Sequence, residues 1–541
     1  MKTATNDVPQ GTLKDLGRNW KADALSGFLV FLIALPLCLA ISLACGYPAI
    51  AGVFTAIIGG ILSAFISNSE MTIKGPAAGL IVVALGCVTE FGFTAGADVA
   101  ADIQAYRLAL GVGVAAGVIQ ILFGVFKAGI LGEFFPTSAV HGLLASIGVL
   151  VIATQFPIML GLQGVGAPLE RLAAIPGYFL EMNPVIALIG GISLFIMFGF
   201  TFIKNPKLKI IPAPMLVLLV AVPLGMYFDI GRDQVISFAG QDHSLGPRFL
   251  VNVPSDMFSA LTFPDFSGVF TSVGIKYIVM FSLIGSVESL LSAKAVDQID
   301  PWRRKTNQDK DLLAVGIGNT LAAFIGGLPM ISEIVRSKAN IDNGARTRFA
   351  NMFHGVFLLA FVALVPFLIN RIPLAALAAM LVFTGFRLAS PQEFKHMYHV
   401  GREQLIVFVS TILGVLATDL LVGIGIGILV KATIHVLNGA PIGSLFKSDL
   451  EVADDRSGTA TIKVKKSAVF STWIALKRAI GSQDAKRVVI DMSDTKFVDH
   501  TVMANLNVLQ TEFKEKDREL SIIGIDRHRR LSSHPLAALK A

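Results

Sequence analysis

The chain has 541 residues, of which 54% are hydrophobic and only 15% are charged. Soluble domains carry about 25% charged residues, and a mean hydropathy of +0.69 leaves more apolar surface than a soluble core could bury. The composition therefore predicts a protein whose solvent is the lipid bilayer. The net charge of +7 does not indicate nucleic-acid binding, because the basic residues stand in short loops between apolar runs, where they orient a membrane protein.

Charged residues are concentrated towards the two ends of the chain. We predict a cytoplasmic segment over residues 1–23, a transmembrane domain over 24–437, a linker over 438–458 and a soluble domain over 459–541. The three cysteines, Cys38, Cys45 and Cys87, all lie in apolar segments and have neither disulfide nor metal-site spacing. We expect no resident cofactor or metal, and no enzymatic activity.

Twelve apolar runs of spanning length follow one another along the transmembrane domain. They lie near 24–45, 48–67, 104–127, 136–160, 183–203, 211–228, 270–296, 309–326, 348–369, 373–389, 402–418 and 419–437. Two further apolar segments, Pro76–Thr89 and Ile331–Ile341, are too short to span as helices. Together these give about fourteen elements.

The loops between these runs show a positive-inside pattern. With the N-terminus in the cytoplasm, alternation places on the inside Lys204, Lys207 and Lys209; Arg303, Arg304, Lys305 and Lys310; Arg346 and Arg348; and Arg387, Lys395 and Arg402. The outside segments are acidic or nearly neutral, and an even count returns the C-terminus to the cytoplasm. We predict a multi-pass protein of the bacterial inner membrane with both termini inside.

The two short segments stand third in each half of the transmembrane domain. Matching interrupted segments are typical of inverted repeats with a substrate site between them. In the first, Pro76 suits a first helical position, and in the second, Ser332 suits an N-cap. Two helix N-termini that face each other bring free N–H groups and positive dipole ends together, which predicts an anion site. The alternative is a pair of ordinary loops with breakers at chance positions.

The residues predicted to bind the anion come from both short segments. They are Gly75, Pro76, Ala77 and Ala78 in the first, and Ser332, Glu333, Ile334, Val335 and Arg336 in the second.

Ionisable residues at membrane depth are functional candidates, because burying charge there is costly. Glu288 shares a helix face with Ser292, and we predict that they bind the coupling ion, either Na⁺ or H⁺. Glu288 has the alternative role of a structural partner for a helix dipole or for Arg336. Glu333 and Arg336 also share a face and are expected to pair. Arg336 then either supplies charge to the anion or only satisfies Glu333.

The charge balance of these residues bears on mechanism. Two carboxylates and one arginine give a formal charge of −1 before an anion arrives. An anion is therefore expected to enter together with a cation or a proton.

The C-terminal residues alternate between strand and helix. Strands are predicted at Thr459–Lys466, Arg487–Met492 and Leu520–Ile525, and amphipathic helices at Phe470–Gly481 and Thr501–Lys516. This is the pattern of a small α/β domain. The loop Asp499-His500-Thr501 opens the second helix, where Asp499 or Thr501 suits an N-cap.

The chain resembles the SulP sulfate-permease family, which includes the prestin-related anion transporters. The resemblance covers nearly the whole length. It rests on Ala34-Leu35-Pro36-Leu37-Cys38-Leu39-Ala40, Lys74-Gly75-Pro76-Ala77-Ala78, Gly285-Ser286-Val287-Glu288-Ser289-Leu290-Leu291, and Gly326-Gly327-Leu328-Pro329 followed by Ile334-Val335-Arg336-Ser337. The tail resembles the STAS domain through Asp491-Met492-Ser493 and Phe497-Val498-Asp499.

The resemblance implies an α-helical fold of seven plus seven inverted repeats, with core and gate domains, and a homodimer. It implies that Glu288 is a site carboxylate linked to Na⁺ or proton coupling and that Arg336 is an anion-site arginine. Glu333 stands where many members have a small or hydroxylic residue, which argues against simple exchange. Asp499, His500 and Thr501 correspond to a regulatory loop. They replace the Asp-Ser-Ser of anti-sigma-factor antagonists, which argues against a phosphoserine switch, although Thr501 keeps a hydroxyl that could accept phosphate.

The sequence leaves several alternatives for the transported substrate. A likeness to a bacterial branch associated with carbonic anhydrases favours bicarbonate, with sulfate or a dicarboxylate as alternatives, and anion exchange as the alternative to symport. Uracil permeases share the architecture, so a nucleobase is a further alternative. A membrane-anchored sensor that signals through the tail is the alternative from another class. The intramembrane Glu288 and Arg336 argue against it, because an anchor needs neither.

Overall fold

A computed structural model describes residues 8–164, 166–203, 212–238, 240–254, 256–455 and 458–541. The α-helices of this part are α1 (Leu13–Ala44), α2 (Ala51–Ile66), α3 (Ile81–Glu90), α4 (Val99–Val125), α5 (Thr137–Met159), α6 (Pro168–Ala173), α7 (Ile175–Glu181), α8 (Pro184–Phe202), α9 (Ala213–Tyr227), α10 (Ser272–Ile299), α11 (Gln308–Phe324), α12 (Ile334–Asp342), α13 (Phe349–Leu364), α14 (Pro366–Ile369), α15 (Leu374–Leu388), α16 (Pro391–Val400), α17 (Arg402–Ala417), α18 (Leu420–Leu437), α19 (Trp473–Gly481) and α20 (His500–Glu515).

The strands of the described residues are short. They are β1 (Ile73–Pro76), β2 (Gln234–Phe238), β3 (Gln241–Leu245), β4 (Met330–Glu333), β5 (Asp449–Asp455), β6 (Thr459–Ala468), β7 (Arg487–Asp491), β8 (Thr495–Val498), β9 (Glu519–Ile523), β10 (Arg529–Arg530) and β11 (Leu539–Lys540). The predicted inside lysines Lys204, Lys207 and Lys209 lie outside the described residues.

The predicted membrane spans are confirmed as helices. Seven helical segments of the described residues are long and apolar enough to cross a membrane, so the chain is a multi-pass membrane protein. The first span begins at Leu13 rather than at Ala24, because the Thr12 side chain caps it by accepting a hydrogen bond from the Asp15 amide at 3.2 Å. The two short segments, predicted at Pro76–Thr89 and Ile331–Ile341, are each broken into a strand and a helix. The first comprises β1 and α3 and the second comprises β4 and α12. We call them the broken segments, and α3 and α12 the half-helices.

The chain divides into two compact units. The first comprises Met1–Gly129 and Ile147–Arg387, and the second comprises Ile130–Ser146 and Leu388–Ala541. Helices α16, α17 and α18 belong to the same unit as the C-terminal residues. The predicted transmembrane and soluble domains, with their boundary at residue 437, stay a prediction.

In the first unit, α4 and α11 pack closely through glycines. A Cβ on Gly117 would lie 2.7 Å from the Thr320 backbone nitrogen, and one on Gly316 would lie 2.6 Å from that of Ile121. Small residues allow backbones to approach in this way inside a membrane. The close pair matters to the site because α11 carries Asp311 and α4 carries Gln120.

In the second unit, the C-terminal residues form the predicted α/β domain. The sheet has the order β10-β11-β8-β6-β7-β9, with β5 paired to β6. Strands β6, β7 and β9 are parallel neighbours. Apolar side chains from the sheet and both helices form the core, among them Ile462, Val488, Ile490, Trp473 and Leu506.

The predicted linker, residues 438–458, contains structure of its own. Strand β5 lies within it and pairs antiparallel with β6 from Asp449↔Lys465 to Asp455↔Thr459. Strand β5 is therefore part of the C-terminal sheet, because it supplies hydrogen-bond partners to the edge of β6.

The α4–α11 contact predicts how the first unit responds to an added side chain. Gly316→Leu should cost about 3 kcal/mol or more, because its neighbours are backbone atoms that cannot rotate away. The measurement is the apparent Tm of the purified protein at one scan rate. Gly191→Leu on α8 is the control, since nothing lies within 4 Å of a Cβ at that position. Equal Tm values for the two variants would contradict the close packing.

Candidate functional site

The two broken segments join as a two-stranded antiparallel ribbon. Strand β1 pairs with β4 in the register Ile73↔Glu333, Lys74↔Ser332, Gly75↔Ile331 and Pro76↔Met330. Backbone groups away from water must be paired, and this ribbon pairs those of the extended chain before each half-helix. The site is thus set by residues that are far apart in sequence.

Each strand of the ribbon is followed by a helix, and two residues predicted at the helix starts lie elsewhere. Pro76 ends β1 instead of occupying a first helical position, and a short 3₁₀ turn, Ala78–Leu80, precedes α3. Ser332 lies in β4, and Glu333 is the N-cap residue of α12. Ser332 does not cap the helix because its hydroxyl donates to Asp311 Oδ2 at 3.0 Å.

Both helix starts lack a side-chain cap. Among the residues that the structure describes, no side chain caps the Ala78–Leu80 segment or α12. The first N–H groups of a helix have no partner within it, and they carry the positive end of the helix dipole. Ile334 and Val335 are also exposed, at 43% and 45%. The two starts therefore offer donors to a ligand.

Two glycines of the first segment lie directly against charged side chains. A Cβ on Gly75 would collide with Arg336 Nη1, and one on Gly79 would collide with both carboxylate oxygens of Glu288. Any larger residue would displace these groups. The carboxylate of Glu288 thus lies at the start of the first half-helix, and the guanidinium of Arg336 lies against β1.

The charged groups at this point are incompletely paired. Arg336 is 1% exposed, and its Nη1 donates to Cys38 Sγ at 3.6 Å. Three of their atoms are buried without a hydrogen-bond partner among the described residues: Glu288 Oε2, Glu333 Oε1 and Arg336 Nε. Buried groups without a partner are rare in native interiors, and each needs an explanation such as a water, an ion or a functional role.

The predicted pair between Glu333 and Arg336 stays a prediction, because their described side chains form no salt bridge in this conformation. The described residues hold no ion pair between them, since the guanidinium turns back towards Cys38 and Gly75. Ser292 stands one turn after Glu288 on α10 and is half-buried. Among the described residues, no group of three or more His, Cys, Asp or Glu could hold a metal ion.

The comparisons with known proteins agree with this architecture. Residues 20–411 match the model of the sulfate permease family. The chain belongs to that family. It is 24% identical to a Bacillus subtilis protein named a putative sulfate transporter, YvdB. The alignment spans 521 residues and covers 94% of this chain and 92% of the relative. It is also 24% identical over 529 residues to the bicarbonate transporter BicA of Picosynechococcus, covering 94% of this chain and 89% of the relative.

Two solved structures share the fold. The transmembrane domain of a cyanobacterial bicarbonate transporter, BicA, has a TM-score of 0.61 at 22% identity and covers 75% of this chain and 97% of its own. SLC26A9 has a TM-score of 0.67 at 14% identity and covers 94% of this chain and 85% of its own. The predicted fold class, a helical membrane transporter fold with a small C-terminal α/β domain, is confirmed.

A second buried charged cluster escaped the sequence analysis. Lys74 Nζ lies 2.6 Å from Asp311 Oδ1, and both side chains are 1% exposed. Lys74 was named only as part of a motif, and Asp311 lies in an apolar run predicted over 309–326. The rule that ionisable residues at membrane depth carry function would have indicated both.

Amide side chains hold β4 from a further direction. Asn319 on α11 accepts from the Met330 amide at 2.5 Å and donates to the Met330 carbonyl at 3.2 Å. Gln120 on α4 accepts from Asn319 at 2.7 Å and donates to Ser286 at 3.3 Å. The strand before the second half-helix is thus fixed by side chains from α4, α10 and α11.

In the second unit, the loop predicted as regulatory is buried. Asp499, His500 and Thr501 are 0%, 8% and 3% exposed. Asp499 caps α20 by accepting from the Thr501 amide at 3.2 Å, as predicted. His500 Nδ1 lies 2.7 Å from the Leu536 carbonyl. A modifying enzyme could reach the Thr501 hydroxyl only after this loop moved.

Asp499 also forms an ion pair with α18. Its Oδ1 lies 2.9 Å from Lys431 Nζ and 3.7 Å from His435 Nε2. Burial alone would raise the pKa of the Asp499 carboxyl, but the Lys431 ammonium holds that pKa well below its usual range. The carboxylate stays ionised across the physiological pH range, so this pair is a permanent anchor within the unit.

Breaking the anchor should destabilise the second unit. Asp499→Asn removes the negative charge that compensates the buried Lys431 ammonium and leaves it with neutral amide acceptors, among them Gln404 Oε1 at 2.7 Å. The change should cost about 3–5 kcal/mol. Adding Lys431→Met should recover part of that loss. The measurement is the apparent Tm together with the rate of proteolytic release of the C-terminal domain.

The exposed pair Lys466–Asp449 supplies the control, since its N–O distance is also 2.9 Å. Asp449→Asn should change stability by less than about 0.5 kcal/mol. If the stability losses of Asp499→Asn and Lys431→Met simply add in the double variant, the two residues act independently and the anchor is refuted.

Proposed function

We propose that the chain is a secondary active transporter of a small inorganic anion, bicarbonate or sulfate, driven by symport of Na⁺ or H⁺. The anion binds between the starts of the Ala78–Leu80 segment and α12, and alternating access exposes it to each side of the membrane. The protein resides in the bacterial inner membrane with both termini in the cytoplasm. The homodimer and a functional link to a carbonic anhydrase remain predictions.

One observation carries the proposal: two uncapped helix starts joined by the β1–β4 ribbon, with a guanidinium against the same ribbon. Free N–H groups and two dipole ends attract an anion. Arg336 adds a full positive charge and a planar set of donors that matches carboxylate-like and tetrahedral oxyanions. Its Nε has no hydrogen-bond partner in the described part of the chain.

The two carboxylates support coupling to a cation. Glu288 and Glu333 outnumber Arg336, so the formal charge at the ribbon is −1 before the anion arrives. A monovalent cation or a proton at Glu288 would remove the repulsion that an incoming anion meets. Glu288 Oε2 is buried and unpartnered, and it lies against the start of the first half-helix, where it can interact with both ligands.

Two relatives named for sulfate and bicarbonate transport support the choice of cargo. Both ions are small oxyanions that would fit between helix starts. A nucleobase is less well supported, since the charged Arg336 and the free amides favour a ligand with negative charge.

The test is uptake of labelled bicarbonate and labelled sulfate into proteoliposomes, with imposed Na⁺ or pH gradients. We expect saturable uptake of one of the two anions that a Na⁺ or proton gradient increases. Glu288→Gln keeps the shape of the side chain but removes its charge, so gradient stimulation should be lost, a drop on the order of tenfold or more.

Glu90→Gln is the matched control. Glu90 is the last residue of α3, the half-helix whose start lies against Glu288, and it pairs with Lys276 at 2.8 Å. It lies at the opposite end of α3 from Gly79 and is partly exposed. It should retain gradient-driven uptake. Wild-type coupling in Glu288→Gln would refute the assigned role of that carboxylate, and uptake of neither anion by the wild-type protein would refute the proposed function.

A further inference from the structure

Two buried charges near the ribbon take no part in the proposed anion contacts. Side chains alternate between the two faces of a strand, so Lys74 points to the face opposite Gly75, against which Arg336 lies. The Lys74 ammonium reaches Asp311 Oδ1 at 2.6 Å. The pair therefore lies behind the surface that the anion would contact.

Asp311 collects donors from both strands of the ribbon. Lys74 on β1 contacts its Oδ1, and the Ser332 hydroxyl on β4 donates to its Oδ2 at 3.0 Å. Lys74 also donates to the Ser332 hydroxyl at 2.5 Å, directly across the β1–β4 pairing. Ser67, which follows α2, donates to Oδ1 at 2.6 Å. One carboxylate thus holds one residue from each broken segment.

The helix that carries Glu288 is joined to the same cluster. Ser289, the next residue on α10, accepts a hydrogen bond from the Ser332 amide at 3.0 Å and donates to the Ser332 hydroxyl at 3.1 Å. The spacing of β1, β4 and Glu288 therefore depends on one connected set of hydrogen bonds. All of its members are buried.

We propose that Lys74 and Asp311 are positioning residues for the anion site: their ion pair fixes the two helix starts and Glu288 relative to one another from behind. This inference rests on the proposed function. It assigns to the pair an effect on anion affinity through geometry, without contact between either residue and the anion.

A purely structural role makes a different prediction. A buried ion pair can often be replaced by apolar residues of similar volume with little loss of stability. If the pair only served folding, such a replacement would leave anion binding intact. If the pair positions the site, the replaced protein folds but loses the links from Asp311 to Ser332 and Ser67, and the helix starts shift.

The test compares the wild-type protein with Lys74→Met/Asp311→Leu in the proteoliposome uptake assay. We expect an apparent Tm close to wild type and a KM for the transported anion raised on the order of tenfold or more, because displacements near 1 Å are that costly at a preorganised site. The maximal rate should change less. If the wild-type Tm rises on adding the transported anion, as binding predicts, that rise should be smaller in the variant.

A second variant covers the case in which the apolar pair fails to fold. Asp311→Glu keeps the charge but lengthens the side chain by one methylene, so it should fold and also raise KM. The control is Lys276→Met/Glu90→Gln, an ion pair between α10 and the far end of α3 with a 2.8 Å contact, which should retain the wild-type KM.

The possible outcomes separate the two proposals. An unchanged KM in folded Lys74→Met/Asp311→Leu, or in Asp311→Glu, overturns the positioning role while leaving anion transport in place. Wild-type protein that takes up neither anion overturns the proposed function, and with it the inference that rests on it.

Discussion

The need to pair backbone hydrogen-bonding groups inside a membrane determines how this site is built. A chain that leaves its helix at membrane depth exposes N–H and C=O groups that lipid cannot satisfy. Here two such breaks solve the problem together, because β1 and β4 pair with each other over four residues each. Neither segment could adopt this conformation alone, so the two halves of the transmembrane domain are bound to each other at this point.

The ribbon places the chemistry as well as the backbone. Each strand ends where a helix starts without a side-chain cap, which leaves donors free at two adjacent positions. Gly75 and Gly79 leave room for the Arg336 guanidinium and the Glu288 carboxylate. The positive helix starts and the arginine suit an anion, while the carboxylates suit a cation. The proposal that the anion and the cation bind together rests on this mixture of charges.

Much of the fold could be predicted from the sequence, because it follows from local composition. Apolar runs gave the helices, and the shortness of Pro76–Thr89 and Ile331–Ile341 marked the two breaks. The roles of Pro76 and Ser332 could not be predicted in the same way. Their neighbours in sequence favour a helix start for each, but their partners are distant. Pro76 lies opposite Met330 in the β1–β4 register, and Ser332 hydrogen-bonds with Asp311 and Ser289.

The buried ion pairs show the same limit. Lys431 and Asp499 are separated by a linker and several strands, and only the folded second unit brings them to 2.9 Å. Their charge at buried positions could have been noticed from the sequence, but the choice of partner could not. The same holds for Lys74 and Asp311. For Glu333 and Arg336, a spacing of three residues favours an ion pair, but the Arg336 guanidinium instead contacts Cys38.

The most direct measurement is a cryo-EM structure of the protein at saturating sulfate or bicarbonate. We predict density for the anion between the start of the Ala78–Leu80 segment and the Ile334 and Val335 amides, within reach of Arg336, with the β1–β4 ribbon intact. Anion density at another place in the transmembrane domain, with none between the two helix starts, would contradict the central claim that the ribbon builds the anion site.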